Sequence, residues 1–419
     1  MLTRVIYTAV LVLVAPFLLL SLYKKKPGKP AFGKRWKEHF GVTPKVSAHS
    51  PVWIHAVSVG EVIAAIPLIK ELKAAHPEQD IVVSTTTSTG AEQVEKLGDL
   101  VEHRYMPIDF SFAVRGFLKA VKPQKLLIIE TELWPNTLQT VAKADIPITI
   151  INARLSEKSR QSYQRIQPIF NLVRPTLSQV LCQTEADAER FAALGIDSSK
   201  LAVTGSIKFD IQVPKQIREQ SSALRHQLGK NRPVWIAAST HKGEDEQVLS
   251  AHRAVLAKQP SALLILVPRH PERFDAMFEL CQQQGFETQR RTALTSDNGL
   301  DSDCQVYLAD TMGEMLLLLG ASDVCFMGGS LVGDKVGGHN LLEPTAVNIP
   351  SLTGPSYYNF KEITQALLEL GIVTVVEDSQ QLAEQVNRLL AEPQSDLVDK
   401  TSQFMHANSG ALQRTLNLL

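Results

Sequence analysis

The sequence has few cysteines and lacks the common signatures of nucleotide hydrolysis and dinucleotide binding. Its four cysteines show no CxxC spacing, which is typical of buried thiols in a reducing compartment rather than of disulfides or a thiolate metal site. There is no GxxxxGKS or GxxxxGKT loop, and the turns of the first half lack GxGxxG. These absences argue against a P-loop NTPase and a dinucleotide dehydrogenase. The cysteines are Cys182, Cys281, Cys304 and Cys325.

The sequence also has no net charge, and its one match to a metal-binding pattern is weak. Asp301-Ser302-Asp303 matches a D-x-D pattern, but it lies in a polar loop, where chance matches are common. We therefore assign no metal and expect no cofactor. The 43 Lys and Arg residues balance 43 Asp and Glu residues, so the composition gives no support for a nucleic acid partner.

The clearest feature that is present is an apolar run from Val5 to Tyr23. It is just long enough to cross a bilayer, with Pro16 as a tolerable kink. Only Arg4 precedes it, and the basic residues that follow are Lys24, Lys25, Lys26, Lys29, Lys34, Arg35 and Lys37. The positive-inside rule predicts a single-pass anchor, with the protein body in the cytoplasm against anionic lipids; the alternatives are a monotopic hairpin and a cleaved leader.

A strand-to-helix turn follows the first apolar run of the protein body. Trp53–Val57 ends at Ser58-Val59-Gly60-Glu61, after which apolar residues recur at helical spacing. In an open α/β sheet, this edge is where ligands bind. Glu61 would stand at the start of the helix, where it could act as a base or merely interact favourably with the helix dipole.

Other strand ends of the first half carry polar residues. The hydroxyl-rich turn around Thr87 and Ser88 could bind phosphate or sugar, or could cap a helix. Glu130 and Glu132 follow an apolar strand, and a helix-capping role and a catalytic or acceptor-binding role are both open for them.

A basic group lies downstream of this edge. It is either a solvated helix face or a clamp for an anionic head group, and a membrane-tethered protein favours the clamp. Its members are Arg154, Lys158, Arg160 and Arg165.

The second half repeats this succession of apolar runs and polar turns, and it contains the most glycine-rich turn, over residues 328–346. The apolar run Val324–Met327 leads to glycines, and His339, Asn340 and Glu343 then open a predicted helix. With Asn340 as its cap, Glu343 would lie in the first turn. Such a turn offers backbone N–H groups to an anion, although it could equally be an ordinary glycine-rich loop.

Further strand ends in this half carry Arg269 and His270 between prolines, and Met312 before a glycine. A fixed guanidinium suits phosphate or carboxylate binding, with a purely structural Arg269 as the alternative.

The alternation of strands and helices predicts doubly wound parallel sheets, and 419 residues exceed one ordinary core. We interpret the polar segment from Thr204 to Pro233 as the connection between two domains. We predict a membrane anchor and basic flank over 1–30, a first α/β domain over 31–212, a second α/β domain over 213–400 and a C-terminal helix over 401–419.

Ten sequence blocks in order resemble the 3-deoxy-D-manno-octulosonic acid (Kdo) transferase family of Gram-negative bacteria, over nearly the whole chain. They are WIHAVSVGE, TTTSTGAE, YMPIDF, ETELWPN, NARLSEKS, TGSIKFD, AASTHKGEDE, LVPRHPERF, LADTMGEM and GGHNLLEPTA. The resemblance implies an α/β, GT-B fold: two Rossmann-like domains facing across a cleft, with the C-terminal helix returning to the first. It implies that the domain over 31–212 binds the acceptor and that the domain over 213–400 binds the CMP-sugar.

The resemblance also implies metal-independent, inverting transfer of Kdo from CMP-Kdo to the tetraacylated lipid A precursor, at the cytoplasmic face of the inner membrane. It implies that Glu61 is the general base. The implied nucleotide-binding residues are Arg269, His270, Met312, Gly313, Glu314, Gly337, Gly338, His339, Asn340, Leu341, Leu342 and Glu343. The acceptor or donor-sugar candidates are Ser58, Gly60, Thr87, Ser88, Glu130, Glu132, Arg154, Lys158 and Lys208. The alternatives are another membrane-associated GT-B glycosyltransferase, a sugar-nucleotide epimerase and a non-catalytic nucleotide-binding scaffold.

Overall fold

The computed structural model describes residues 2–24, 30–211, 213–294, 299–392 and 395–419. Of the predicted basic flank, Lys25, Lys26 and Lys29 lie outside the described residues. The chain forms two compact units. The first comprises Met1–Asp210 and Asn408–Leu419, and the second comprises Ile211–Ala407.

The first unit is built on a seven-stranded sheet with parallel pairings. Its strands are β1 (Val52–His55), β2 (Ile81–Thr85), β3 (Glu102–Tyr105), β4 (Lys125–Ile129), β5 (Ile148–Ala153), β6 (Gln179–Cys182) and β7 (Leu201–Val203). The spatial order is β3-β2-β1-β4-β5-β6-β7. The strand order therefore reverses between β1 and β4, where a crevice for ligands opens at the carboxyl ends.

The second unit has the same architecture. Its strands are β8 (Val234–Thr240), β9 (Leu263–Pro268), β10 (Thr288–Arg290), β11 (Val306–Leu308), β12 (Val324–Met327), β13 (Ser351–Thr353) and β14 (Val373–Val375). Their order is β10-β11-β9-β8-β12-β13-β14, again with parallel pairings. The switch point of this sheet lies between β8 and β12.

The helices of the first unit that precede residue 210 are α1 (Leu2–Tyr23), α2 (Val59–Ala75), α3 (Ser88–Glu95), α4 (Ser111–Val121), α5 (Pro135–Ala142), α6 (Glu157–Arg165), α7 (Gln167–Val173) and α8 (Glu185–Ala193). The later helices are α9 (Lys215–Leu228), α10 (Asp245–Lys258), α11 (Phe274–Gln283), α12 (Met315–Gly320), α13 (Leu342–Ala346), α14 (Lys361–Glu369), α15 (Ser379–Ala391), α16 (Leu397–Asn408) and α17 (Ala411–Leu416).

Buried apolar side chains fix the strands in each unit. Trp53 and Phe117 pack with ring centroids 4.5 Å apart on one face of the first sheet, and Ile54 lies in the cluster on the other. Trp235 and Phe326 lie in the core of the second unit. The polar residues that leave the carboxyl ends of these strands are thus held on rigid elements.

The chain end is held in the first unit by Asp210. Its carboxylate accepts hydrogen bonds from the backbone N–H groups of Gly410 and Leu412, each at 2.6 Å. Ala411 is fully buried against Ala64 and Ile207.

The structure corrects two sequence-based expectations. The segment read as an interdomain connection contains α9, a helix of 14 residues within the second unit. The helix predicted to open at Asn340 begins at Leu342 and has five residues, with Leu341 at its N-cap position. The Asn340 side-chain oxygen accepts a bond from the Leu342 N–H at 3.1 Å, and so forms a turn before the helix.

Candidate active site

Glu61 lies at the switch point of the first sheet, in the first turn of α2. The Ser58 hydroxyl caps this helix and donates to the Glu61 Oε1 at 2.9 Å. The Glu61 Oε2 accepts from the Val57 N–H at 2.7 Å. This reciprocal arrangement resembles a capping box, and it fixes the carboxylate while leaving each oxygen a second lone pair.

Three carboxylates share a cavity of about 240 Å³ at this edge. Its lining consists of Glu61, Glu130, Thr131, Glu132, Arg154, Ser156 and Ser159. Burial raises the pKa of Glu61 against the lowering effect of its two hydrogen bonds. Burial, and then the charge of Glu61, raises the pKa of Glu132 to about 7. The site therefore favours a proton on one of these groups near neutral pH.

Lys208 balances part of this negative charge. Its ammonium group lies 2.7 Å from the Glu130 carboxylate. Glu130 has a left-handed φ of 62°, and so does Asn152, with a φ of 57°. The Asn152 side-chain oxygen accepts from the Ile207 N–H at 3.2 Å, which positions the residue next to Lys208. Such backbone strain in non-glycine residues is found most often at functional sites.

Replacing Glu132 with Gln is expected to change how stability depends on pH. The folded state holds the pKa of Glu132 at about 7, above its ordinary value of 4.5, so the unfolded state releases this proton first. Between about pH 4.5 and about pH 7, Glu132 ionises in the unfolded state but stays protonated in the folded state. Its titration should therefore lower the free energy of unfolding as the pH rises through this range, and Glu132→Gln should lack this contribution. Urea unfolding of wild type and variant across this range measures the effect.

The exposed Glu71 lies on α2 outside the cavity lining, and Glu71→Gln is the matched control. Parallel pH profiles for wild type and Glu132→Gln would contradict the assignment of this proton.

Thr87, Ser88 and Gly60 are further site candidates of the first unit. Thr87 caps α3 by accepting from the Gly90 N–H at 3.1 Å, and Ser88 is buried; neither lines the cavity. Gly60 is exposed, and an added Cβ would meet only the Ser58 hydroxyl, at 3.9 Å. Packing therefore does not explain a glycine at this position.

The basic group lies on and before α6. Arg154 is exposed and lines the cavity, whereas the exposed Lys158 does not line it. The guanidinium of Arg160 is held by Glu157, with a shortest distance of 2.7 Å. Arg165 is exposed at the end of α6. Of these four basic residues, Arg154 is the one that lines the cavity.

In the second unit, three histidines gather at the carboxyl ends of its central strands. The Nε2 atoms of His241 and His339 lie 2.8 Å apart with stacked rings, and the His270 ring lies 5.4 Å from that of His241. Burial, reinforced by neighbouring cations that include Arg269, lowers the pKa of His241 to about 4 and that of His339 to about 3. At neutral pH these are neutral N–H donors beside a cation.

Glu244 supports the glycine-rich turn through hydrogen bonds to its backbone. Its buried carboxylate accepts from the backbone N–H groups of Gly329 at 2.7 Å, Ser330 at 3.1 Å, Leu331 at 2.9 Å and His241 at 3.2 Å. A Cβ at Gly328 would approach the Glu244 Oε2 to 2.7 Å. Glu244 is not among the site residues that the sequence analysis predicted.

Glu343 lies in the first turn of α13. Burial raises its pKa to about 7, and the charge of Arg269 acts in the opposite direction. Gly337 and Gly338 precede this turn with φ values of 85° and 74°, and a Cβ at Gly337 would meet the Tyr358 ring at 2.4 Å. The backbone of this turn therefore requires glycine.

The remaining nucleotide-binding candidates differ in their exposure. Leu341 and Leu342 are buried, and Met312 and Gly313 are exposed beyond β11. Arg291 bonds to Glu314 at 2.9 Å and lowers the pKa of that carboxyl. This ion pair fixes the position of the Glu314 carboxylate.

Comparison with known proteins gives a consistent result. Residues 34–211 match a family model described as 3-Deoxy-D-manno-octulosonic-acid transferase (kdotransferase), and residues 231–404 match Glycosyl transferases group 1. A 3-deoxy-D-manno-octulosonic acid transferase of Haemophilus influenzae is 40% identical over 422 residues, which cover 99% of this chain and 98% of that protein.

Solved structures are similar too. The C-terminal CMP-Kdo binding domain of WaaA from Acinetobacter baumannii is 39% identical, with a TM-score of 0.42, over 45% of this chain and 98% of that one. A UDP-GlcNAc 2-epimerase from Neisseria meningitidis is 15% identical, with a TM-score of 0.57, over 88% and 98% of the two chains. The latter likeness concerns the fold alone. Together with the two parallel sheets, it confirms the predicted α/β, GT-B fold class.

Proposed function

Because the chain belongs to the Kdo transferase family of glycosyltransferases, we propose that it transfers Kdo from CMP-Kdo to a hydroxyl of the tetraacylated lipid A precursor. The observation that carries the proposal is the full-length identity of 40% to a Kdo transferase, and the geometry of Glu61 supports it. The transfer is inverting and metal-independent, and it occurs at the cytoplasmic face of the inner membrane, with α1 as the membrane attachment.

The acceptor alcohol is a poor nucleophile, so a base must remove its proton as the new bond forms. Glu61 suits this role because its carboxylate is oriented by Val57 and Ser58, lines the cavity and has a raised pKa. A carboxylate with a raised pKa is a stronger base than an ordinary one. Ser58, Glu130 and Lys208 keep the cavity side chains in place.

The departing group is CMP, whose phosphate gains charge as the bond to Kdo breaks. The cation of Arg269 and the neutral imidazoles of His241, His270 and His339 can stabilise that charge without a metal. Among the described residues, no group of three His, Cys, Asp or Glu side chains is arranged to hold a metal ion. Metal independence remains a prediction for the assay.

The test is a transfer assay of the full chain with CMP-Kdo and lipid A precursor in excess EDTA, with products resolved by mass. A product heavier by one or more Kdo units would support donor, acceptor and metal independence together. Binding of CMP without product would point to another acceptor or to a scaffold, and a preference for UDP would point to another GT-B enzyme.

Replacing both Arg154 and Lys158 with Ala is expected to raise the KM for the lipid acceptor roughly tenfold or more, because even one charge-assisted hydrogen bond to phosphate contributes about 1.5–3 kcal/mol. The KM for CMP-Kdo should stay within about twofold of the wild-type value. Initial rates with each substrate varied in turn separate the two constants.

Arg160→Ala is the control on the same helix, since Glu157 already holds that guanidinium. An unchanged acceptor KM in the double variant would remove Arg154 and Lys158 from acceptor binding.

A further inference from the structure

By composition alone, α1 is long and apolar enough to cross a membrane, with a mean hydropathy of 2.1 over Leu2–Leu20. Its contacts with the first unit give a different picture. At its N-terminal end, Arg4 donates to Ser111 at 2.7 Å and to the Asn136 side chain at 2.8 Å. At its C-terminal end, the Tyr23 hydroxyl lies 2.7 Å from the His39 Nδ1.

These two ends cannot lie on opposite sides of a bilayer while both contact one folded unit. A helix of 22 residues is about 33 Å long, which is the full thickness of the hydrocarbon core. In a transmembrane orientation, Arg4 would be on the far side from Ser111, Asn136 and His39.

The contacts along the helix agree with its ends. The side chains that are partly covered recur at helical spacing, so one face lies along the unit from end to end, against α5 and α7. These residues are Thr3, Arg4, Tyr7, Thr8, Leu11, Ala15, Leu19, Leu22 and Tyr23. The opposite face is exposed and apolar, and it includes Ile6 at 55%, Leu13 at 73% and Leu20 at 71% exposure.

Asp109 is central to the contact between α1 and the rest of the first unit. Its carboxylate accepts from the Tyr7 hydroxyl at 2.8 Å, from the Thr137 N–H at 2.6 Å and from the Asn136 N–H at 3.1 Å. Asp109 thus joins α1 to the start of α5. Only the segment from Leu133 to Pro135 separates Glu132 of the cavity from Asn136.

The surroundings of α1 fit a lipid surface. The exposed apolar residues Trp36, Phe112 and Ile166 each lie next to a segment that contacts α1. Lys34 and Lys37 are exposed on either side of Trp36. Apolar side chains rimmed by cations match the interface of an anionic bilayer.

We propose that α1 lies in the plane of the membrane surface, docked along the first unit by Arg4, Tyr7 and Asp109, and immerses its exposed face in the lipid interface instead of crossing the bilayer. The proposal rests on the membrane attachment given above but not on the transfer chemistry. It would present the carboxylate cavity to a lipid acceptor from a fixed position.

Spin labels on cysteines at positions 6, 13 and 20 test this orientation. The positions are seven residues apart and therefore share one face. The full chain is bound to vesicles of phosphatidylethanolamine and phosphatidylglycerol, and label depth is read from contrasting oxygen and nickel relaxation. The described cysteines of the wild type are buried, and wild type treated with the same label gives the background.

An in-plane helix predicts similar, shallow depths for Ile6→Cys, Leu13→Cys and Leu20→Cys, about 5–10 Å below the headgroups. A crossing helix predicts a label at position 13 near the bilayer centre, about 15 Å deep, with shallow labels at positions 6 and 20. That pattern, or the absence of lipid contact at all three positions, would overturn the proposal. Transfer by the same labelled proteins is measured separately, so a failure of the proposed function is distinguishable.

Discussion

Replacing Glu61 with Gln is expected to lower the rate of Kdo transfer by roughly 10²–10⁴-fold, the usual contribution of a general base. The amide oxygen can keep the hydrogen bond that the Val57 N–H donates, and the Ser58 hydroxyl can turn to accept from the amide NH₂ group. Gln is also accepted in a capping box. The fold should therefore survive, but the amide cannot take a proton. Turnover, CMP affinity and thermal unfolding are measured on the same preparation.

The control for this substitution is Glu71→Gln, which makes the same chemical change at an exposed position of the same helix. It should leave turnover unchanged. If Glu61→Gln retained turnover close to wild type with intact CMP binding, Glu61 would not be the base, and the other cavity carboxylates would need to be tested.

Replacing Glu244 with Gln is expected to raise the KM for the nucleotide donor at least tenfold. The carboxylate accepts four backbone N–H bonds, two on each oxygen. An amide presents its NH₂ group to two of those donors and leaves them unpaired, at a cost of about 1–3 kcal/mol each. The glycine-rich turn and the backbone at His241 would then lose the hydrogen-bond acceptor that they share.

A role in positioning the nucleotide predicts more than a loss of stability. The KM for the donor and the Kd for CMP should rise, whereas the KM for the acceptor should stay near the wild-type value, because the acceptor candidates belong to the other unit. Glu246→Gln, on the same helix and exposed, is the matched control. Unchanged CMP affinity in Glu244→Gln, or an equal rise in both KM values, would refute the role.

Local sequence pattern was informative wherever one short segment contains the whole interaction. Ser58 and Glu61 are three positions apart, so a capping arrangement at a helix start is written in the sequence itself. The run Val324–Met327 is buried and coincides with β12, because a continuous apolar run suits a central parallel strand. The α/β alternation predicted two doubly wound sheets, and this fold class is confirmed.

Local pattern failed where the partner lies far along the chain or where a helix start had competing possibilities. The His241 to His339 pair spans 98 positions, and Glu244 reaches residues 85 to 87 positions away. Asn340 has the residue type of a helix cap, but its side chain closes a two-residue turn instead. A sequence pattern does not reveal which of these hydrogen bonds forms.

The sequence by itself determined the fold class, the family and the strand ends at which polar residues gather, because these depend on hydrophobic periodicity and on blocks of neighbouring residues. The tertiary structure decided which of those residues meet. It joined Glu61, Glu130 and Glu132 in one cavity and set the raised pKa of Glu132 through burial. It also laid α1 along the first unit, since the contact between Arg4 and Asn136 crosses 132 positions of the chain.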